Sequence, residues 1–423
     1  MSQISDDCFA FGGPLMTAAE ATRRIAERVP TITESRDLPL HRAAGHVLAA
    51  DAVAVSASPP ADNAAVDGYA FRFADTSTDA DSVLPVTGRA AAGHPYPDVL
   101  APGSAVRVFT GAVVPEGAES VVLQEDGTVD AAGKVTRPPG LKPGANRRRA
   151  GEDIAAGATL LVRGRRLGPA EIALLAAGGL TAVAVHGRPR VTIFSTGDEI
   201  LRSGGKPRTG QVHDANGPML LALLQRIGIA AEDGGVLPDD PATVRQALTD
   251  AAGRSDLILT SGGASTGDED HVRGVVSDLG AVHLWRLAVK PGRPLAFGHV
   301  AGRAFVGLPG NPVAVMACFL MFVRPLLDRL EGAEPQPLRR WPVRAGFAMK
   351  SKPDRREWLR GTLAADESGA ATGDWVASRC PRQGSGIIHS LTDSDGLIEI
   401  AEDVTQVAPG DRLGFISFRE ALS

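Results

Sequence analysis

Three short turns limit what this chain can become. They read Ser195-Thr196-Gly197-Asp198-Glu199, Ser261-Gly262-Gly263-Ala264-Ser265-Thr266-Gly267-Asp268-Glu269-Asp270 and Gly307-Leu308-Pro309-Gly310-Asn311-Pro312. Each follows an apolar run: Val191-Thr192-Ile193-Phe194, Leu257-Ile258-Leu259 and Ala304-Phe305-Val306. A buried strand that breaks into a Gly-rich turn and then opens a helix is how an α/β sheet gathers backbone N–H groups around an anion. Carboxylates on the same turns offer hard oxygen donors to a divalent cation. One such turn says little. Three within about 120 residues of one predicted sheet point to a phosphorylated ligand accompanied by a metal ion.

Around these turns, strand and helix alternate. The run 191–194 leads to a helix over 218–227, with Met219, Leu220, Leu223, Leu224 and Ile227 on one face. A strand near 230–236, a helix over 241–252, a strand over 257–260 and a helix over 270–279 follow. Strands near 282–289, 294–297 and 304–306 precede a last helix, with Asn311 as N-cap and Pro312 at its first position. The alternation predicts a doubly wound, mostly parallel sheet. Upstream, Thr17 and Glu20 form a capping box for a helix with Ala21, Ile25 and Val29 on one face, ended by Pro30. From 53 to 148 short β-prone runs lie between Gly/Pro turns, as in a β-rich insert. A helix over 169–177, with Pro at its start and Gly178-Gly179 past its end, closes a small mixed helical linking domain around that insert. After the proline-containing linker 331–340, alternating runs such as Leu397-Ile398-Glu399-Ile400 predict a small β-barrel or sandwich. The expected domains are a discontinuous linking domain (14–52 and 149–187), the β-rich insert (53–148), the α/β domain (188–330) and a C-terminal β domain (338–423).

Composition narrows the class further. At 423 residues, 43% hydrophobic and 22% charged, the chain can bury several cores. A net charge of −5 gives no basic face for nucleic acid, and Arg147-Arg148-Arg149 is followed at once by Glu152 and Asp153. Cys8, Cys318 and Cys380 lack disulfide or zinc spacing and fit a reducing cytoplasm. The stretch 1–11 has no signal-peptide pattern, and the longest apolar run, 313–323, is half a bilayer span stopped by Arg324 and Pro325. A cytoplasmic location without membrane or nucleic-acid partners is expected.

In the second turn, Gly262 and Gly263 let a backbone approach a ligand, Ser265 and Thr266 add hydroxyls, and Asp268 and Asp270 lie two apart. The same residues also suit a plain strand-to-helix turn in which either Asp caps the helix. Thr196, Gly197, Asp198 and Glu199, and Gly310-Asn311-Pro312, take functional meaning mainly from their shared sheet edge. Val289-Lys290-Pro291-Gly292-Arg293-Pro294 is sharper: two prolines stiffen a turn bearing two cations, an arrangement suited to an oxyanion. In the insert, Asp67-Gly68 and Thr110-Gly111 read as turns, as does Gly151-Glu152-Asp153 after the Arg triplet.

Together, 62–70, 110–126 (TGAVVPEGAESVVLQED), 146–154 (NRRRAGEDI), 194–200 (FSTGDEI), Asp214-Ala215-Asn216, 261–270, 290–294 and 307–312 resemble the MoeA family in order. These are the molybdopterin molybdenumtransferases, homologous to the E domain of gephyrin and plant Cnx proteins, and the likeness spans nearly the whole chain. The resemblance implies a four-part homodimer whose site lies between the sheet domain of one subunit and the insert of the other. It implies a reaction of adenylylated molybdopterin with molybdate and Mg2+, in which the phosphoanhydride is cleaved, AMP is released and molybdenum stays on the dithiolene. By resemblance, Glu199, Asp268 and Asp270 manage the metal and the phosphoanhydride. Thr196, Gly197, Asp198, Gly262, Gly263, Ser265, Gly310, Asn311 and Pro312 bind the nucleotide-pterin ligand. Lys290, Arg293 and Pro294, with Arg355 and Ser385 from the last domain, hold molybdate. Asp67, Thr110 and Asp153 act from the facing subunit or its hinge. A molybdopterin adenylyltransferase and molybdoenzyme chaperones are the implied partners.

The chain departs from the family pattern at Val66 (usually Met), Ala215 (usually Thr), Arg293 (often Lys) and in the extra carboxylate of Glu269. Arg293 keeps the charge but presents a fork in place of a point donor. Two other functions fit parts of the chain: molybdopterin adenylylation, which needs only the sheet domain, and a non-catalytic cofactor carrier or assembly scaffold.

Overall fold

The computed structural model describes residues 15–422, apart from Thr33, Ser203, 264–270 and 366–374. The described chain forms two compact units, residues 36–185 and the remainder.

Within 36–185, the linking part pairs Ser35–Pro39 with Ala182–His186 and Ala52–Val53 with Thr159–Leu161. Its core is Leu48, Leu167, Leu175 and Val185, the third of these from the helix Pro169–Ala177. The inserted part is a six-stranded sheet of Gly68–Phe71 (β1), Ser82–Ala90 (β2), Ala105–Val108 (β3), Ser120–Leu123 (β4), Thr128–Val129 (β5) and Lys134–Arg137 (β6), in the order β4-β1-β3-β2-β6-β5. Successive side chains leave opposite faces of a strand, so Ala70, Val106 and Val121 fill one core while Phe71, Ala105 and Val122 fill another. Arg137 is fully buried beside Phe71 and Phe73, and its Nη1 donates to the Ser77 carbonyl at 2.8 Å.

The second unit contains the α/β sheet: Val191–Thr196 (β7), Ala231–Leu237 (β8), Leu257–Ser261 (β9), Gly280–Arg286 (β10), then, past the short strand Val289–Lys290 (β11), Pro294–Val300 (β12) and Arg303–Leu308 (β13). The order is β8-β7-β9-β13-β12-β10; the first four strands run parallel, β12 runs antiparallel to β13, and β10 runs antiparallel to β12. Side chains alternate between two buried faces. Ile193, Leu257, Leu259 and Val306 meet the helices Asn216–Arg226 and Pro312–Leu330, while Phe194, Ile258 and Phe305 meet Pro241–Arg254 and His271–Leu279. The sheet is therefore wound on both faces, as the alternation predicts. The apolar run 313–323 is buried throughout, with a π-helical segment over Phe319–Val323. No helix among the described residues is long and apolar enough to cross a membrane.

Two local expectations are revised. The strand expected over 282–289 ends at Arg286, and β11 leaves the sheet to pair with the last domain. Asn311 stands at the N-cap position without a side-chain cap; the Ser385 carbonyl accepts the Val313 N–H instead, at 3.1 Å.

The final domain comprises Trp341–Ala345 (β14), Arg356–Ala365 (β15), Trp375–Arg379 (β16), Gly396–Ile400 (β17) and Arg412–Ser417 (β18). These pair in the order β15-β16-β14-β18-β17, and β17 returns to β15, which closes a five-stranded barrel. β11 adds to β15 in parallel, with Lys290 opposite Glu357. Closure decides between barrel and sandwich.

Candidate active site

The carboxyl ends of β7, β9 and β13 carry the three turns, and one asparagine ties two of them together. Asn216 is 8% exposed, and its Nδ2 donates to the Ser261 hydroxyl and to the Gly310 carbonyl, both at 2.7 Å. Asp214 fixes the start of that helix by accepting from the N–H groups of Asn216 and Gly217 at 3.0 Å and from the Ser195 hydroxyl at 2.7 Å. Between β9 and its helix, Gly262 and Gly263 have φ of +98° and +73°. A Cβ on Gly262 would lie 2.4 Å from the Thr196 hydroxyl, so only glycine lets the two turns lie together.

The same edge is acidic. Asp198 and Asp239 exchange backbone bonds, each N–H donating to the other's carboxylate at 3.3 and 3.1 Å. The Glu199 carboxylate folds back over Gly197, where a Cβ would lie 2.3 Å from its Oε2. Sequence reading missed Asp239. In Asp239-Asp240-Pro241 the adjacent Asp240 caps the next helix, accepting from Thr243 N–H at 2.8 Å. These oxygen donors suit a hard divalent cation. Among the described residues, though, no three such groups converge on one point. Ser265, Asp268 and Asp270 lie outside the described residues.

Below the turns is a cavity of about 440 Å³, walled by Gly262, Gly263, the 290–294 turn, the 309–311 turn, and Trp358, Arg360 and 383–385 of the barrel domain. Gly292 has φ of +94°, and a Cβ there would meet Cys318 Sγ at 2.5 Å, so the cationic turn rests directly on that thiol. Burial pushes the Cys318 thiol up to about 12, which makes it packing material and not a nucleophile.

Lys290 Nζ lies 3.2 Å from Glu357, whose other oxygen takes Arg355 and the Ser351 hydroxyl. Burial of Glu357 raises its pKa, but Arg355 and Lys290 outweigh this and hold the carboxyl below the usual range. Arg360 is 1% exposed; among the described residues its guanidinium donates to neutral oxygens, Ser390 Oγ at 3.1 Å and the Gly384 carbonyl at 3.2 Å. Burial lowers its pKa, as expected for a cation without a described carboxylate partner. Lys290, Arg293 and Arg360 thus make a cationic wall.

The cavity brings together Gly262, Gly263, Lys290, Arg293, Pro294, Gly310, Asn311 and Ser385. Arg355 sits behind the wall, paired with Glu357, and Arg360 occupies the wall itself. Thr196, Gly197, Asp198, Glu199 and Pro312 belong to the adjoining turns and do not line it. Asp67, Thr110 and Asp153 belong to the unit 36–185. There Asp67 Oδ1 accepts from both the N–H and the hydroxyl of Thr110 at 2.8 Å. The backbone bond first and the hydroxyl second lower its pKa. Asp153 is exposed in a turn whose N–H donates to the Ser58 carbonyl at 3.1 Å.

Fold and site together define a multidomain α/β protein with a sheet-edge cleft suited to oxyanions. Residues 16–179 match the MoeA N-terminal region (domain I and II), 192–329 a probable molybdopterin binding domain and 342–418 the MoeA C-terminal region (domain IV). The chain is 33% identical to the molybdopterin molybdenumtransferase of Haemophilus influenzae over 96% of its length and 100% of that protein. It is 35% identical to molybdopterin molybdenumtransferase 2 of Mycobacterium tuberculosis, over 94% and 98%. The molybdopterin biosynthesis MoeA protein of Pyrococcus horikoshii OT3 superposes with a TM-score of 0.81 at 29% identity, covering 96% of this chain and 100% of that one. The chain belongs to the MoeA family.

Proposed function

We propose that this protein is a molybdopterin molybdenumtransferase of molybdenum cofactor biosynthesis, taking molybdate and adenylylated molybdopterin as substrates. The observation that carries the reading is the cationic wall of Lys290, Arg293 and Arg360 beside the Gly262-Gly263 turn. Three cations with one buried carboxylate behind them attract an oxyanion such as molybdate, and Arg360 gains a counter-charge when one binds. The glycine turns admit the phosphates of the second substrate next to it. Arg360 replaces Arg355 in the molybdate set; Arg355 positions Glu357, which in turn holds Lys290.

Cleavage of the phosphoanhydride adds a water oxygen to phosphorus as the bridging P–O bond breaks, and AMP leaves. Bound Mg2+ supplies charge neutralisation for that step. Glu199, with Asp268 and Asp270, would hold it, and the oxygen-only donors of this edge, Asp198 and Asp239 included, fit such an ion. Asn216 and Asp214 keep the turns in register, and no protein nucleophile is needed. In a homodimer the Asp67–Thr110 pair and Asp153 act from the second subunit.

The test is incubation of the purified protein with adenylylated molybdopterin, Mg2+ and molybdate. Molybdate-dependent AMP release with molybdenum on the dithiolene is expected. Ligand binding without AMP release would replace the enzyme with a carrier or scaffold.

A further inference from the structure

The inserted sheet carries a second cationic feature, remote in sequence from the wall just described. Arg89 on β2 and Arg107 on β3 are cross-strand neighbours in a parallel pair, and Tyr69 on β1 stands opposite Arg107 on the other side. Phe109 lies two residues further along the same face. The Arg107 guanidinium lies 4.8 Å from the Tyr69 ring centre and 5.1 Å from that of Phe109, and Arg89 lies 4.8 Å from the same Phe109 ring. Both cations are therefore held against one ring.

Like charges set side by side across a strand pair repel, and here nothing described neutralises them by direct contact. Arg107 donates to the neutral Gln124 side-chain oxygen, and among the described residues Arg89 meets the Phe109 ring and no carboxylate. Asp67, whose carboxyl also feels the Arg107 charge, makes no ion pair with it and spends one oxygen on Thr110. Aromatic stacking holds a guanidinium by its faces and leaves its N–H edges free, which is the geometry that grips an oxyanion. Arg89 is exposed and Arg107 half-buried, so a ligand can reach both.

We infer that Arg89 and Arg107, set against Phe109 and Tyr69, form an anion site on the inserted sheet that binds a phosphate or pyrophosphate group. Binding a dianion relieves the repulsion between the two arginines. The identity of its natural ligand, the phosphates of a nucleotide-bearing substrate, rests on the function proposed above; the anion site itself does not.

The composition supplies a local probe, because the chain has two tyrosines, Tyr69 and Tyr96. Full-length protein labelled with 3-fluorotyrosine gives two fluorine resonances, assigned with Tyr69→Phe. Titration with inorganic pyrophosphate should move the Tyr69 signal to saturation. The half-saturation concentration should rise about ten-fold or more in Arg107→Gln and further in Arg89→Gln/Arg107→Gln, because each arginine makes a charge-assisted bond. Arg89→Gln alone changes an exposed side chain and keeps the test alive should loss of Arg107 impair folding. A Tyr69 signal that stays still, or moves equally in wild type and double variant, overturns the inference. A shift produced by adenosine but not by pyrophosphate also overturns it, making the ladder a ring platform. Failure of AMP release with an intact pyrophosphate response would instead count against the proposed function alone.

Discussion

Replacing Asn216 tests whether the sheet edge is held as described. Its amide nitrogen donates at 2.7 Å to the buried Ser261 Oγ and to the part-buried Gly310 carbonyl, while its own Oδ1 is buried without a partner among the described residues. Asn216→Ala strands the buried Ser261 acceptor, at about 1–3 kcal/mol if left unsatisfied, whereas the carbonyl of exposed Gly310 can turn to water. Two effects offset this: the Ser261 hydroxyl rotates to a new partner, and the unpartnered Oδ1 is deleted. The net loss lies at the lower end of that range. All four tryptophans, Trp285, Trp341, Trp358 and Trp375, lie in the unit that contains Asn216, so urea unfolding followed by tryptophan fluorescence reads this unit selectively.

Asn216→Asp sharpens the experiment. An ionised carboxylate would face two oxygens, whereas the protonated acid donates to one of them, so folding raises the new group's pKa. The folded state then binds more protons than the unfolded state, and stability falls as pH rises above the unfolded aspartate value of about 3.9. The Asp variant should be less stable than the Ala variant near pH 8 and should overtake it near pH 4. If Asp and Ala are indistinguishable across that range, Asn216 is not the donor described, and the clasp between the two turns is absent.

Four further outcomes follow from the same geometry. Gly292→Ala forces a side chain into positive φ and onto Cys318, and should cost about 2–4 kcal/mol in urea unfolding; a neutral result would detach the cationic turn from its thiol support. Arg360→Met should lower molybdate affinity about ten-fold or more in equilibrium titration, with stability unchanged or higher, because a buried cation without a carboxylate is exchanged for an apolar chain. The advantage of wild type over Glu357→Gln should be full above the unfolded glutamate value of about 4.3 and shrink as pH falls through the depressed folded value, read as the difference in urea midpoints. Cys318 should resist a disulfide reagent until the protein unfolds, since its thiol is buried and pushed up to about 12.

Much of the fold is written in local signals. The continuous apolar runs of β7, β9 and β13 reflect burial on both faces, and Thr17 and Asp240 cap their helices as their side chains suggest, accepting from N–H groups three residues on. What stayed hidden depends on partners distant in sequence. Barrel closure requires β14 to pair in parallel with β16, and the departure of β11 from the sheet follows from the strand edge that β15 offers. Asn311 resembled a cap because its own side chain is suited to the role; Ser385, 74 positions further on, supplies the carbonyl instead.

The site divides along the same line. Lys290 and Arg293 stand out because prolines and a glycine hold them in a turn, a feature visible in five consecutive residues. Arg360 offers no such sign. It sits within the continuous strand Arg356–Ala365, where Arg355 and Arg356 nearby look equally eligible for an anion. Only packing separates them. Glu357 takes Arg355, and Glu399 and Glu402 take Arg356, while Arg360 is left among neutral oxygens at the cavity wall. A carboxylate two residues from an arginine is plain in sequence; which arginine it neutralises is decided by the strand's pleat and by Lys290 arriving from β11. Among the described residues Arg360 is the one of these three arginines without a carboxylate, so it has free energy to gain from an incoming oxyanion, and that is a property of the folded chain alone.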